Sequence, residues 1–185
     1  FVGATAYLPK LNGDLEKSQM AISRLQNAAA LALDKKSLDQ HKLIIEVSNV
    51  GAGHYLPTGL TDIRQMWLEI VVKDKKGKTI FTSGVRDKNK YLPDDTIIYH
   101  TIFGDGQGNP VQNVAKAREI LKDKRVPPKQ SVLETIVLPQ EDLEGGKIKV
   151  SLLYRSASQK MLDTIAGKGK HPLPIVKMAE IQSKL

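Results

Sequence analysis

From Lys42 the apolar positions fall into a period of two. Leu43, Ile45 and Val47 point one way and Ile44, Glu46 and Ser48 the other, and Asn49–Gly53 ends the run in turn residues. The same period returns in Gln65–Lys73, which holds Trp67, Leu68, Ile70, Val71 and Val72, and in Thr79–Ser83. Between these two, Asp74 and Gly77 supply turn chemistry, so the pair predicts a β-hairpin. Thr96–Phe103, Val132–Leu138 and Ile148–Tyr154 read as further short strands. No helix follows each strand, so the pattern predicts an antiparallel sandwich rather than a parallel sheet wound with helices.

The helical period appears mainly near the start. Leu15, Ile22, Leu25, Ala29 and Leu33 lie near one helix face, Asp14 can cap the first turn, and alanine fills positions 28, 29, 30 and 32. A helix is therefore predicted over residues 14–33. Two helical inserts are expected, at Val114–Leu121 before Pro127-Pro128 and at Ser158–Ile165 before Gly167. The tail runs extended through Gly167–Pro174 and ends in a short amphipathic segment at Val176–Ile181. The expected division is an N-terminal helical arm (1–40), a β-sandwich (41–156) and a C-terminal helix and extended tail (157–185).

Composition narrows the chemistry. Of the 185 residues, 41% are hydrophobic and 26% charged, the ordinary globular range, and no apolar run approaches the ~20 residues that span a bilayer. The chain opens at Phe1 with no basic and apolar leader, so we expect an export signal to be removed or to lie upstream. There is no cysteine, which excludes disulfides, thiolate metal sites and thioether-attached haem. The net charge of +8 is spread over many lysines and suits acidic partners. Aromatic residues make up only 5% and are not interleaved with the basic ones, which argues against nucleic acid.

The densest stretch of candidate chemistry is Asn49-Val50-Gly51-Ala52-Gly53-His54-Tyr55-Leu56-Pro57-Thr58-Gly59. It forms either a tight sandwich corner or a platform for His54, and it lacks the Gly-Lys-Ser/Thr of a phosphate loop. Asp62 and Arg64 follow, readable as a structural ion pair or as a clamp for a propionate or other carboxylate. His100 lies in a strand-like run, and a cross-strand pairing with His54 stays open. No two histidines have the spacing of a helical metal pair, and no nucleophile or carboxylate pair stands out, so no enzyme is expected. Asp105-Gly106-Gln107-Gly108-Asn109 reads as a plain turn rather than a calcium loop.

Taken in order, several motifs carry a resemblance. They are the Asn49–Gly59 stretch, Asp62-Ile63-Arg64-Gln65-Met66-Trp67-Leu68-Glu69, Asp74 to Gly77 and Ser83-Gly84. Asp105–Pro110, Asp123-Lys124-Arg125-Val126-Pro127-Pro128 and Leu153-Tyr154-Arg155 continue the set. The set resembles the haem-free C-terminal β domain of exported multihaem c-type cytochromes (cytochrome c554-like proteins), over roughly Phe1 to Arg155. The opening Phe1-Val2-Gly3-Ala4 is similar to the residues just after the last haem-region histidine of such proteins.

The resemblance implies an immunoglobulin-like sandwich, a periplasmic or extracellular location and a non-catalytic role beside electron-transfer haems. It implies that His54 turns toward the haem of a partner or upstream region, as axial ligand or neighbour; read from the residues, His100 is a weaker candidate and Arg64 either a propionate partner or a structural ion pair with Asp62. A free-standing exported binding or adhesion sandwich is the alternative, and an enzyme with a metal at His54 a third.

Overall fold

The computed structural model describes residues 10, 12–36, 38–111, 113–140 and 143–185. The Phe1-Val2-Gly3-Ala4 run lies outside the described residues. Strand β2 (Lys42–Asn49) buries Leu43, Ile45 and Val47 completely, the face its alternation selected. It pairs antiparallel with β1 (Ala29–Asp34) on one side and β8 (Ser131–Val137) on the other, making a three-stranded sheet.

The second sheet is built on β3 (Gln65–Lys73), which alternates just as strictly. Met66, Leu68, Ile70 and Val72 face the first sheet and are fully buried. Strand β9 (Lys147–Arg155) flanks β3 in full register, and β10 (Val176–Lys184) closes the far edge. The other edge of β3 is shared between β4 (Thr79–Ser83) and the two-residue β5 (Ile98–Tyr99). The β3–β4 hairpin forms as expected: Asp74 accepts the Lys76 and Lys78 amides at 2.8 and 2.9 Å, and Gly77 takes φ +85°. The two sheets enclose one core, in which each large apolar side chain contributes about 1.5–3 kcal/mol on burial. The fold is an antiparallel β-sandwich with an N-terminal helix.

The outer face of the second sheet is also covered. Trp67 is fully buried there; its indole N–H donates to the Gly84 carbonyl (3.2 Å), and the Arg155 guanidinium lies 5.3 Å from its ring centroid. Arg155 in turn donates to Gln65 Oε1 and to the Lys90 carbonyl, both at 2.7 Å.

Helix α1 (Leu15–Gln26) begins where Asp14 caps it, accepting the Lys17 amide at 3.1 Å, and packs on β10 through a face that buries Ala21 and Leu25. It stops at Gln26 rather than continuing to residue 33. The alanine-rich stretch beyond it is β1, paired from Ala29↔Asn49 to Asp34↔Ile44. Alanine's helical advantage over ordinary residues is at most about 0.7 kcal/mol each, less than a ladder of backbone bonds to β2 provides.

The helix expected at Val114–Leu121 is likewise replaced. A single 3₁₀ turn at Val114–Lys116 leads into β7 (Glu119–Asp123), which pairs with β6 (Thr101–Gly104). The continuous strand expected at Thr96–Phe103 breaks at His100, placing β5 and β6 in different sheets. The insert expected at Ser158–Ile165 is α2 (Gln159–Ala166), capped by Ser158 Oγ, which accepts the Met161 amide at 3.0 Å. The amphipathic end segment is a strand, β10.

Candidate functional site

The 49–59 loop is built outward from Asn49. This side chain is 1% exposed, and its amide donates to the His54 carbonyl (2.8 Å) and the Val126 carbonyl (3.3 Å) while its oxygen accepts the Ala52 amide (3.1 Å). The Val50 and Gly51 amides both donate to the Ala28 carbonyl, at 3.0 and 3.1 Å. A Cβ at Gly51 would lie 2.1 Å from the Asn27 carbonyl oxygen, so only glycine permits this approach. Farther along, Leu56 and Val126 exchange both backbone bonds, at 2.9 and 2.8 Å. The loop is thus held at its base and its return, while its tip stays outside.

His54 is at that exposed tip. Its Nδ1 lies 3.0 Å from the Tyr55 carbonyl oxygen. A carbonyl only accepts, so this bond places the proton on Nδ1 and leaves the lone pair on Nε2. The same arrangement orients histidines that ligate metals. Tyr55 beside it lies under the Arg125 guanidinium, 4.9 Å from the ring centroid, and Arg125 is itself held by Asp123 through bonds of 2.8 and 2.6 Å.

Behind the loop a cleft of about 390 Å³ opens between the end of α1, the loop and β9. Its walls include Leu25, Ala28 and Leu56, and its polar groups include Arg24, Arg64 and Tyr154. Arg64 is 6% exposed, donates from Nη1 to the Thr58 carbonyl, and lies so close beneath Gly59 that a Cβ there would be 2.9 Å from its Cζ. The expected Asp62–Arg64 ion pair is not formed: no carboxylate pairs with Arg64 among the described residues. The Tyr154 hydroxyl is buried and has no hydrogen-bond partner among the described residues.

His100 is placed elsewhere. It sits half-buried at the break between β5 and β6, its carbonyl accepting the Lys124 amide at 3.0 Å. Burial lowers its pKa first, and Lys122 and Lys124 lower it further, against an opposite pull from Asp62. The charge of Asp62 therefore acts on His100. No group of three His, Cys, Asp or Glu able to hold a metal occurs among the described residues. The 105–109 turn is closed on itself, with Asp105 accepting the Gln107 and Asn109 amides at 2.8 and 3.1 Å.

Two parts of this site went unread in the sequence. Asn49 looked like an ordinary turn former, and Tyr154 like one more residue of a strand. Only the long-range contacts separate them from their neighbours.

Fold and site together define a cysteine-free β-sandwich that presents an anchored histidine next to a basic, part-apolar cleft. No family model and no curated protein matches the sequence. Among solved structures, the crystal structure of a penta-haem cytochrome c552 from Thermochromatium tepidum superposes with a TM-score of 0.66 at 18% identity. The match covers 89% of this chain, which spans 41% of the length of that cytochrome. At this identity what is shared is the fold.

Proposed function

We propose that this chain is a haem-free, non-catalytic module of an exported multihaem c-type cytochrome system, docking on a haem-bearing domain or subunit. The observation that carries the reading is the anchored imidazole of His54, set on a fold similar to part of a penta-haem cytochrome. With Nδ1 tied to the Tyr55 carbonyl, Nε2 is the ring's free donor atom, suited to a partner's haem iron as ligand or to its edge as hydrogen-bonding neighbour. The chain has no cysteine, so no haem is attached to it through thioethers. Haem, where it is bound by the partner, supplies the redox chemistry; this chain supplies the histidine, the loop that holds it and the surface around it.

The chain as a whole has charge to match an acidic partner, although its lysine groove lies at the end of the second sheet away from His54. Lys73, Lys147, Lys149 and Lys184 line a shallow groove on the second sheet, and the whole chain carries +8. An immunoglobulin-like strand plan and a periplasmic or extracellular location belong to the same proposal.

The reading is tested by optical titration of a ferric c-type haem undecapeptide, whose sixth position is open, with the full chain. Wild type and His100→Ala should shift the Soret band toward the six-coordinate low-spin form, and His54→Ala should not. An identical response from wild type and His54→Ala would remove His54 from the proposal. A free-standing binding or adhesion module is the second reading. It is favoured by β8, an edge strand with Leu133 and Val137 each 65% exposed, and it predicts no haem response from any variant.

A further inference from the structure

We propose that the cleft between the end of α1, the 49–59 loop and β9 is a binding site for a carboxylate carried on an apolar body, with Arg64 and Tyr154 as its receptors. Three independent features of the cleft converge on this ligand class.

The first is an uncompensated cation. Arg64 is buried, and among the described residues its one side-chain bond is to the neutral Thr58 carbonyl. A guanidinium presents five donors in a planar fork, so one carbonyl leaves most of its capacity unused. Burying a charge without a counter-charge is costly, and the described residues of this chain supply none. Arg24 also lines the cleft, but it sits in the last turn of α1, where the helix carbonyls already take up part of its charge.

The second is the Tyr154 hydroxyl, at a residue only 3% exposed and with no partner among the described residues. A buried phenol without a partner costs free energy that an apolar replacement would avoid. Burial raises its pKa, and the nearby Arg64 charge acts in the opposite direction, which places the two groups within electrostatic reach of each other. A neutral hydroxyl donor beside a guanidinium is a receptor for an acceptor-only anion, and a carboxylate is such a group.

The third is the wall. Leu25, Ala28 and Leu56 line the same cleft, and no acidic residue does among the described residues. A fully hydrated inorganic anion gains nothing from such walls, whereas an alkyl or ring-bearing acid buries apolar surface against them.

The carboxylate has two chemical sources: a small free aliphatic acid, or a propionate of a haem docked at His54. Only the second rests on the function proposed above. The test is amide NMR of the full chain, following Gly51 and Gly53 in the cleft wall, with hexanoate and hexan-1-ol as probes. A second arm uses the haem undecapeptide and its propionate methyl ester. Tyr154→Phe and Arg64→Gln are the variants, and Tyr154→Phe decides if Arg64→Gln does not fold.

Saturable shifts with hexanoate but not hexanol, weakened about tenfold or more in Tyr154→Phe, support the site and assign it to free acids. Silence with hexanoate, but haem-peptide binding weakened by esterification and by Tyr154→Phe, supports it and assigns it to a propionate. Binding that ignores the carboxylate in both arms, or that Tyr154→Phe leaves unchanged, overturns the proposal. Because hexanoate carries no iron, and the His54 claim is read from the difference between wild type and His54→Ala, loss of one claim does not carry the other with it.

Discussion

Asn49 and Tyr154 belong to the site, and Gly84 to the packing around Trp67. Asn49 closes the loop with its whole side chain, and replacing it by alanine takes a partner from the Ala52 amide and the His54 carbonyl, while the Val126 carbonyl keeps the Leu56 amide. Asn49→Ala should therefore destabilise the chain by about 2–3 kcal/mol in urea unfolding, well beyond a typical surface change. Gly84 is as constrained for another reason: it has φ +67°, and a Cβ there would meet the Leu68 carbonyl oxygen at 2.0 Å. Gly84→Ala should cost about 2 kcal/mol or more and disturb the indole of Trp67, visible as a change in tryptophan fluorescence. Tyr154 should behave oppositely. Its hydroxyl has no partner among the described residues, so Tyr154→Phe should leave stability unchanged or raise it by about 1 kcal/mol in the same assay. A clear loss would mean that the hydroxyl is structural.

Among the elements, those read from a period of two are the ones that stand. Strands β2 and β3 each bury the face their alternation selects, because burial on one side of a sheet fixes register as well as identity. The misread elements are those where a local signal competes with a distant one. The alanines of β1 favour a helix in isolation and are drawn into the sheet by β2, while β7 is ordered by β6 some twenty residues earlier. The exposed loop that carries His54 was legible because its glycine-rich run is unusual; the cleft was not, because Arg64 and Tyr154 line it together only through the fold.

One electrostatic consequence belongs to β10. Glu180 accepts from Lys177 at 2.8 Å and Lys149 at 3.1 Å, as well as from Gln182 and Ser151, and these bonds hold its carboxyl down at about 2. A depressed folded pKa means stability that is present above the usual carboxylate value and lost as pH falls toward the folded one. Thermal unfolding followed from pH 5 to pH 2 should show a drop in midpoint that Glu180→Gln reduces.

At the scale of the molecule, a net charge of +8 sits around a sandwich whose distinctive loop holds a histidine by one nitrogen and leaves the other available. If the chain meets an acidic haem partner, association should weaken as salt rises, since interactions between exposed charges are screened within about 10 Å at 0.1 M ionic strength. Specificity would come from the loop and the cleft behind it, where geometry is set by Asn49 and by the Leu56–Val126 bridge. The central claim is that His54 is presented to a partner's haem. Low-temperature electron paramagnetic resonance of the ferric haem undecapeptide mixed with the full chain reads that ligand directly. The account predicts a low-spin signal with wild type that reverts to high-spin with His54→Ala; the same signal from both proteins would contradict it.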